Sequence, residues 1–365
     1  MKNGFKASTA LLLTVTIAVA VRSEVPCTTP SRRPGFCVDI RRCTNLYNIV
    51  TKPNAPPKGI ANYISKAACT LPNVERSVCC SLAEVQREDE SVVVLPTECG
   101  QAVTDRIAFG NVTKVFDYPW MAVLRHKTNE GDLIDQCGGT LIHKRYILTA
   151  AHCLRSDKIN VVRLGEHDKS SEIDCNIYKN TRGKVIDREC AKKPVDYEIE
   201  SFVIHENYQR PMKSNDIGLI RLNRDVEMDD HIHPICLPVT PELRSLQLDR
   251  YLVTGWGTTE NLTGSDVLLS AVVPHVSNAE CLKKWQKARA RVYDTEMCAG
   301  GDSTVDSCRG DSGGPLGFSV NYNGARFLQF GVVARGANSC GVATLPGIYT
   351  RVAAYMDWIM ANIKP

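Results

Sequence analysis

Sixteen cysteines in 365 residues constrain this chain more than any other feature. An even count at that density belongs to an oxidising compartment and a disulfide framework, since a reducing cytosol would hold such thiols unpaired. The cysteines fall in two blocks on either side of a cysteine-free stretch, Ser81–Glu98. Cys27, Cys37, Cys43, Cys69, Cys79 and Cys80 crowd the first block. A segment that short has too little core to fold firmly alone, so internal bridges are its natural staple. Sequence alone leaves their pairing open. The other ten are scattered from Cys99 to Cys340, in a stretch long enough to bury a sizeable core.

The first 23 residues fit that compartment. Lys2 and Lys6 form a basic start, Ala10–Val19 an apolar run, and Ala18-Val19-Ala20 a small-residue cleavage pattern. The run is too short to span a bilayer, and no other stretch approaches ~20 apolar residues. A signal peptide at 1–23 and a soluble, secreted mature chain are expected, with no membrane partner. Removing Lys2, Lys6 and Arg22 takes the formal charge from +4 to +1, and nothing in what remains asks for nucleic acid. Residues 24–80 hold eight basic and three acidic side chains, so this module is mildly basic; residues 81–98 hold one basic and five acidic, among them Glu88-Asp89-Glu90, and read as an exposed linker.

Chemistry concentrates in three stretches. Asp306–Pro315, DSCRGDSGGP, sets Ser312 among Gly310, Gly313 and Gly314, in a turn whose backbone can approach a substrate closely. The N–H groups of Gly310 and Ser312 can there point into the space where an acyl-transfer oxyanion forms. LTAAHC places His152 beside Cys153, and SNDIGLI places Asp216 at the head of an apolar strand. The order His, Asp, Ser in these contexts resembles the chymotrypsin/trypsin family of serine proteases. The six-cysteine block ending in Cys79-Cys80 is similar to the clip domain of arthropod serine proteases.

The resemblance implies an all-β fold. Two six-stranded antiparallel barrels would hold the triad in their cleft, with a C-terminal helix, preceded by a small disulfide-rich clip domain. Short β-type runs at Val161–Leu164, Tyr251–Thr254 and Phe327–Val333 suit it, and only the last segment, with Val352, Tyr355, Ile359 and Ile363, has convincing helical spacing. The expected order is signal peptide 1–23, clip domain 24–80, linker and activation segment 81–106, and protease domain 107–365. By the same resemblance the clip pairs are Cys27–Cys79, Cys37–Cys69 and Cys43–Cys80. The protease pairs are Cys137–Cys153, Cys281–Cys298 and Cys308–Cys340, with Cys99–Cys236 tethering the N-terminal chain and Cys175–Cys190 left as an extra pair.

The resemblance also implies roles. Ser312 is the nucleophile, His152 the general base and acid, and Asp216 the residue that holds the imidazole. Asp306 would sit at the bottom of the specificity pocket and pair with a substrate Arg or Lys, with Gly336 and Gly347 leaving room along the walls. Cleavage after Arg106 would free the amino group of Ile107, which would enter an apolar pocket and pair with Asp311, ordering the loop around Ser312. Two departures stand out: Gly218 where the family usually has Ala, and Arg335 where most relatives have Trp. Arg335 is expected to favour acidic or polar residues upstream of the cut. Pro346 argues against sodium activation.

No cofactor is needed for catalysis. Glu166, Asp168, Ser171 and Asp174 crowd one loop with hard oxygen ligands, where trypsin-like relatives bind calcium. Asn111 and Asn261 lie in glycosylation sequons. The expected function is a secreted trypsin-like endopeptidase zymogen of a haemolymph immune cascade. Its partners would be an upstream protease, serpins, and protein substrates such as prophenoloxidase, another clip protease zymogen or the Toll ligand precursor. The alternative is a non-catalytic adaptor keeping the fold, against which the intact triad and Asp306 argue. A digestive trypsin has no evident use for a clip module.

Overall fold

The computed structural model describes residues 25–50, 56, 58–71, 74, 76–82, 84–85, 95–101, 111–155, 158–209, 214–258, 264–286, 291–301, 310–322, 324–336 and 345–364. They fall into two units, one within residues 1–92 and the other within 93–364.

The first unit runs β1 (Val25–Thr28), β2 (Pro34–Asp39), α1 (Thr44–Val50), α2 (Lys58–Ala67), β3 (Ala68–Cys69) and β4 (Ser77–Ser81). Its sheet has the order β1-β2-β4-β3. The core is small, built from Val38, Ile40, Leu46, Ala67 and Val78 around Cys43 and Cys80. Every residue of β4 is buried, because Cys79 and Cys80 send their sulfurs in opposite directions along the alternating strand. Cys27–Cys79, Cys37–Cys69 and Cys43–Cys80 close it, with Cα atoms 5.9, 6.0 and 5.6 Å apart. Strands β2 and β4 pack so closely that a Cβ at Gly35 would lie 2.1 Å from the Cys80 carbonyl oxygen.

The second unit begins with β5 (Asn111–Val112), β6 (Met121–Lys127), β7 (Leu133–His143), β8 (Tyr146–Thr149), α3 (Ala151–Leu154), β9 (Val161–Leu164), β10 (Cys175–Lys179), β11 (Val185–Cys190), β12 (Val195–Ile204) and β13 (Gly218–Leu222). It continues with α4 (Pro241–Ser245), β14 (Arg250–Gly255), β15 (Leu269–Val276), α5 (Asn278–Trp285), β16 (Glu296–Ala299), β17 (Pro315–Asn321), β18 (Ala325–Arg335), β19 (Gly347–Arg351) and α6 (Met356–Asn362). Six strands close the first barrel in the order β12-β13-β8-β7-β6-β9. The second runs β14-β17-β18-β19-β16-β15 and closes through β14 and β15, with β5 added outside β15. Closure leaves no exposed edge to manage.

One core crosses the seam between the barrels. Trp120 of the first half stacks on Phe327 of the second with ring centroids 5.0 Å apart. A 3₁₀ turn, Val352–Tyr355, leads into α6, and Val352, Tyr355, Met356, Ile359 and Ile363 all pack into this core. Cys99–Cys236, Cys137–Cys153 and Cys281–Cys298 are formed within the unit, and Cys175–Cys190 staples the ladder of β10 and β11. Cys308 and Cys340 lie outside the described residues.

The structure contains more helix than the apolar periodicity suggests. Helix α5 starts at Ser277, whose hydroxyl accepts from the Glu280 N–H at 3.2 Å, the first half of a capping box. Helix α4 starts at Thr240 with Pro241 in its first turn. Both are too short for a periodic signal and are legible only from their caps.

Burial pushes the His231 imidazole below its usual range; Lys192 acts the same way and Asp229 against it. The native state therefore prefers this ring neutral, and the unfolded chain binds more protons below its ordinary value of ~6.5. Stability from His231 is present above that pH and is lost as pH falls through it. The thermal midpoint of the wild type should drop further between pH 7.5 and 5.5 than that of His231→Gln, measured by scanning calorimetry. Parallel curves for the two proteins would contradict this.

Candidate active site

Asp216 anchors the site. It follows Asn215, held in the left-handed region at φ 55°. The Asn215 amide donates to the Asn207 carbonyl at 2.9 Å, and its oxygen accepts from the Tyr355 hydroxyl at 2.8 Å. The loop is thus pinned by its own barrel and by the C-terminal segment. The Asp216 carboxylate is fully buried. One of its oxygens accepts from the backbone N–H of His152 at 2.8 Å, and the other meets His152 Nδ1 at 2.7 Å. A carboxylate can only accept, so the ring proton belongs on Nδ1 and Nε2 keeps its lone pair. From the second barrel, Thr350 Oγ1 donates to the Asp216 carbonyl at 2.8 Å. Gly218, where alanine is expected, lies against α3: a Cβ there would come within 2.7 Å of Leu154 Cδ1.

Ser312 arrives on a loop threaded between the barrels. Its carbonyl accepts from the Gly138 N–H on β7 at 2.8 Å, and Gly313 N–H donates to the Val333 carbonyl on β18 at 2.9 Å. Gly310 and Gly313 have φ of 102° and 80°. A Cβ on Gly313 would lie 2.2 Å from Thr149 Oγ1, so neither conformation nor space admits another residue there. Thr149 completes the seam by donating to the Gly138 carbonyl at 2.8 Å. Asp311 turns to β14, where the Gly257 N–H donates to its carboxylate at 2.9 Å. Serine, histidine and aspartate are therefore held at one seam, which the Gly138–Ser312 backbone bond and the bond from Thr350 to the Asp216 carbonyl cross.

Asp306, Arg106 and Ile107 lie outside the described residues, as does Asn261; of Asn111 only its place in β5 is described. Gly336 follows β18 and Gly347 opens β19 beside it. Behind them the Trp285 indole N–H donates to the Pro346 carbonyl at 2.9 Å, tying α5 to this wall.

Arg335 does not match its sequence expectation. Its guanidinium is turned inward onto Glu296, with Nη1 to Oε1 2.6 Å and Nη2 to Oε2 2.9 Å, and Nη2 also donates to the Arg291 carbonyl at 2.6 Å. The Glu296 side chain is 1% exposed and Arg335 14%. The charge expected to read acidic substrate residues is committed to a buried carboxylate of this chain. Glu296 itself escaped the sequence reading; its signal is an acidic residue heading the apolar run Glu296–Ala299.

The loop of hard oxygen ligands divides in two. Glu166 and Asp174 are both buried and converge on the His167 N–H, which donates to Glu166 Oε1 at 3.0 Å and Asp174 Oδ2 at 3.1 Å. Burial pushes the Glu166 carboxyl above its usual range and the charge of Asp174 adds to this, while Arg163 opposes it. Asp174 Oδ1 is buried without a hydrogen-bond partner. Asp168 and Ser171 instead use their side chains within the turn, on Ser170 and on the Ile173 carbonyl.

The trypsin family model matches residues 107–359, and the model for the regulatory CLIP domain of proteinases matches residues 27–80. Serine protease grass of Drosophila melanogaster is 39% identical over 347 residues, covering 91% of this chain and 89% of its own length. Phenoloxidase-activating factor 1 of Holotrichia diomphalia is 37% identical over 364 residues, covering 95% of each. The crystal structure of Drosophila Grass, a clip serine protease of the Toll pathway, matches with a TM-score of 0.66 at 38% identity, over 92% of this chain and 96% of that one.

Replacing Asp216 by Asn puts a donor against His152 Nδ1 and favours the wrong tautomer. Asp216→Asn should lower kcat on an arginyl peptide by about 10⁴-fold with little change in KM. A loss under about tenfold would remove Asp216 from the machinery.

Proposed function

The chain belongs to the trypsin family of serine proteases, in the group that carries a regulatory CLIP domain, and is a serine endopeptidase; on that premise we propose that it is secreted as a zymogen, activated by cleavage between Arg106 and Ile107, and cuts protein substrates after Arg or Lys in an extracellular immune cascade. The observation that carries this reading is the buried Asp216 carboxylate bound to both the backbone and the ring of His152, on the seam where Ser312 is threaded.

The chemistry follows from that couple. Ser312 Oγ attacks the scissile carbonyl and gives its proton to His152 Nε2. The imidazolium, held by Asp216, returns the proton to the leaving amine, and water repeats the sequence on the acyl-enzyme. The N–H groups of Gly310 and Ser312 hold the oxyanion. Asp306 pairs with the substrate's cationic side chain between the walls of Gly336 and Gly347. Cleavage would bring a new cation to the Asp311 carboxylate. The freed ammonium of Ile107 supplies it, because a charge enters an apolar pocket only when paired. The Cys99–Cys236 bridge keeps the N-terminal chain attached after the cut. Prophenoloxidase, the precursor of the Toll ligand or another clip protease zymogen are the substrates this role calls for, with serpins as its inhibitors.

Glu166 and Asp174 fit a bound calcium ion, since two buried carboxylates converge on the His167 N–H, only Glu166 pairs with Arg163, and Asp174 Oδ1 is left unpartnered. The ion would supply structural charge compensation and no chemistry.

Two experiments test these readings. In the first, the native zymogen is compared with one carrying an exogenous protease site in place of Val103–Arg106, which leaves Ile107 as the released terminus. Cleavage should switch on hydrolysis of an arginyl chromogenic peptide, then of prophenoloxidase or the Toll ligand precursor; silence of the correctly cut, disulfide-intact protein on all three would reject the reading. In the second, calcium should raise the thermal midpoint by a few degrees, about 1 kcal/mol of stabilisation for a domain of this size. Asp174→Asn should abolish the response, and equal midpoints in calcium and chelator would rule the ion out.

A further inference from the structure

The ion pair of Arg335 and Glu296 joins the ends of β18 and β16 close to the back of the triad. Glu296 heads β16 and pairs in register with Thr350 of β19. Cross-strand partners share a face of the sheet. Thr350 uses its hydroxyl on that face to bond the Asp216 carbonyl at 2.8 Å. The Glu296 carboxylate therefore stands one strand away from the catalytic aspartate, in a region closed to water: Glu296 is 2% exposed, Thr350 1% and Asp216 not at all.

Its polar surroundings are few. Arg335 binds both of its oxygens, and the Tyr293 N–H donates to Oε2 at 3.0 Å. Burial pushes its carboxyl up, Arg335 pulls it down, and the negative charge of Asp216 pushes it up again. On the far side, the Tyr355 phenol feels both Glu296 and Asp216, with Arg351 acting against them. Among the described residues, the charged and titratable groups acting at this spot are thus Arg335 from β18, Asp216 from the first barrel, which itself holds the His152 ring, and Tyr355 and Arg351 from the C-terminal segment.

We infer that Arg335 is a positioning residue that works inward: it neutralises Glu296 behind the triad, so that a single net negative charge, on Asp216, faces the His152 imidazole. Without that arginine a second buried carboxylate would act on the same ring through a poorly screened interior. The pair also ties β16 and the Arg291 carbonyl to β18. This rests on His152 and Asp216 as the working couple of the proposed protease.

The two halves of the pair make opposite predictions, which a purely structural role does not. The test uses the full chain with the exchanged activation site, cut before Ile107. The pH dependence of kcat/KM on an arginyl peptide is measured alongside the ¹⁵N titration of the His152 ring. Arg335→Gln leaves Glu296 unbalanced and should raise the acid limb and the ring titration by about one pH unit, the size expected of one more buried negative charge. Glu296→Gln leaves Arg335 unbalanced and should lower both. The double variant should return both to wild type, and Arg335→Lys should stay near it.

Limbs that do not move, or that move the same way in both single variants, overturn the proposal. So does a loss in Arg335→Gln confined to substrates with acidic upstream residues, which would turn the guanidinium back toward the substrate. If Arg335→Gln alone fails to fold, Glu296→Gln and the double variant decide by the same lowering and return. Wild-type turnover tests the protease reading by itself, and the ring titration reports on the ion pair even without turnover.

Discussion

A carboxylate taken fully out of water must have every oxygen satisfied, and in this protein Asp216 meets that demand through His152 of its own barrel, while the other barrel holds its main chain. Two bonds come from His152, and a third reaches its own carbonyl from Thr350 of the other barrel. Losing the partners of such a group would expose a buried charge to an apolar interior, at a cost of several kcal/mol. The same geometry fixes the imidazole tautomer.

The nucleophile loop obeys a constraint of a different kind, which is space. Gly138, Thr149, Gly313 and Val333 lie so close that the loop passes only where side chains are missing. The bonds that locate Ser312 are backbone bonds, strong in direction and independent of side-chain choice. What they leave to side-chain chemistry is the carboxylate of Asp311, beside the serine and against Gly255 and Gly257. A loop held by its backbone at one end and by one carboxylate at the other is well suited to control by a single cation.

Much of this was legible in the sequence, for physical reasons that can be named. Disulfide-stapled modules and glycine-dense catalytic turns tolerate few substitutions, so their residues stand out in a single chain. Strands were legible too, through short runs such as Val161–Leu164, which keeps its period of two in the structure, while their closure into two barrels was implied by the family resemblance. Helix α5 was not, because it is short and its signal sits in the Ser277 cap. Arg335 was misread for a deeper reason. Its position in the strand is a sequence property, but the direction of its guanidinium depends on Glu296, 39 residues away. Pairing between distant charges leaves no periodic trace.

The two buried glutamates show how charge balance separates otherwise similar sites. Each is pushed up by burial and each holds an arginine. Arg335 answers Glu296 with both nitrogens, so that pair is electrically closed. Arg163 must serve Asp196 at 2.7 Å as well as Glu166 at 3.2 Å, with Asp174 converging on the same loop. The nearby lysines are engaged elsewhere, Lys169 on Asp135, Lys192 on Asp229 and Lys193 on Glu172. Two carboxylates therefore share one guanidinium, while Asp174 beside them has only backbone donors and one oxygen left unpartnered. A deficit of that kind is met either by a proton or by a cation, and a hard divalent ion meets it without loss of the carboxylates' charge. The same accounting explains why the Glu296 site calls for none: Arg335 is its counter-ion.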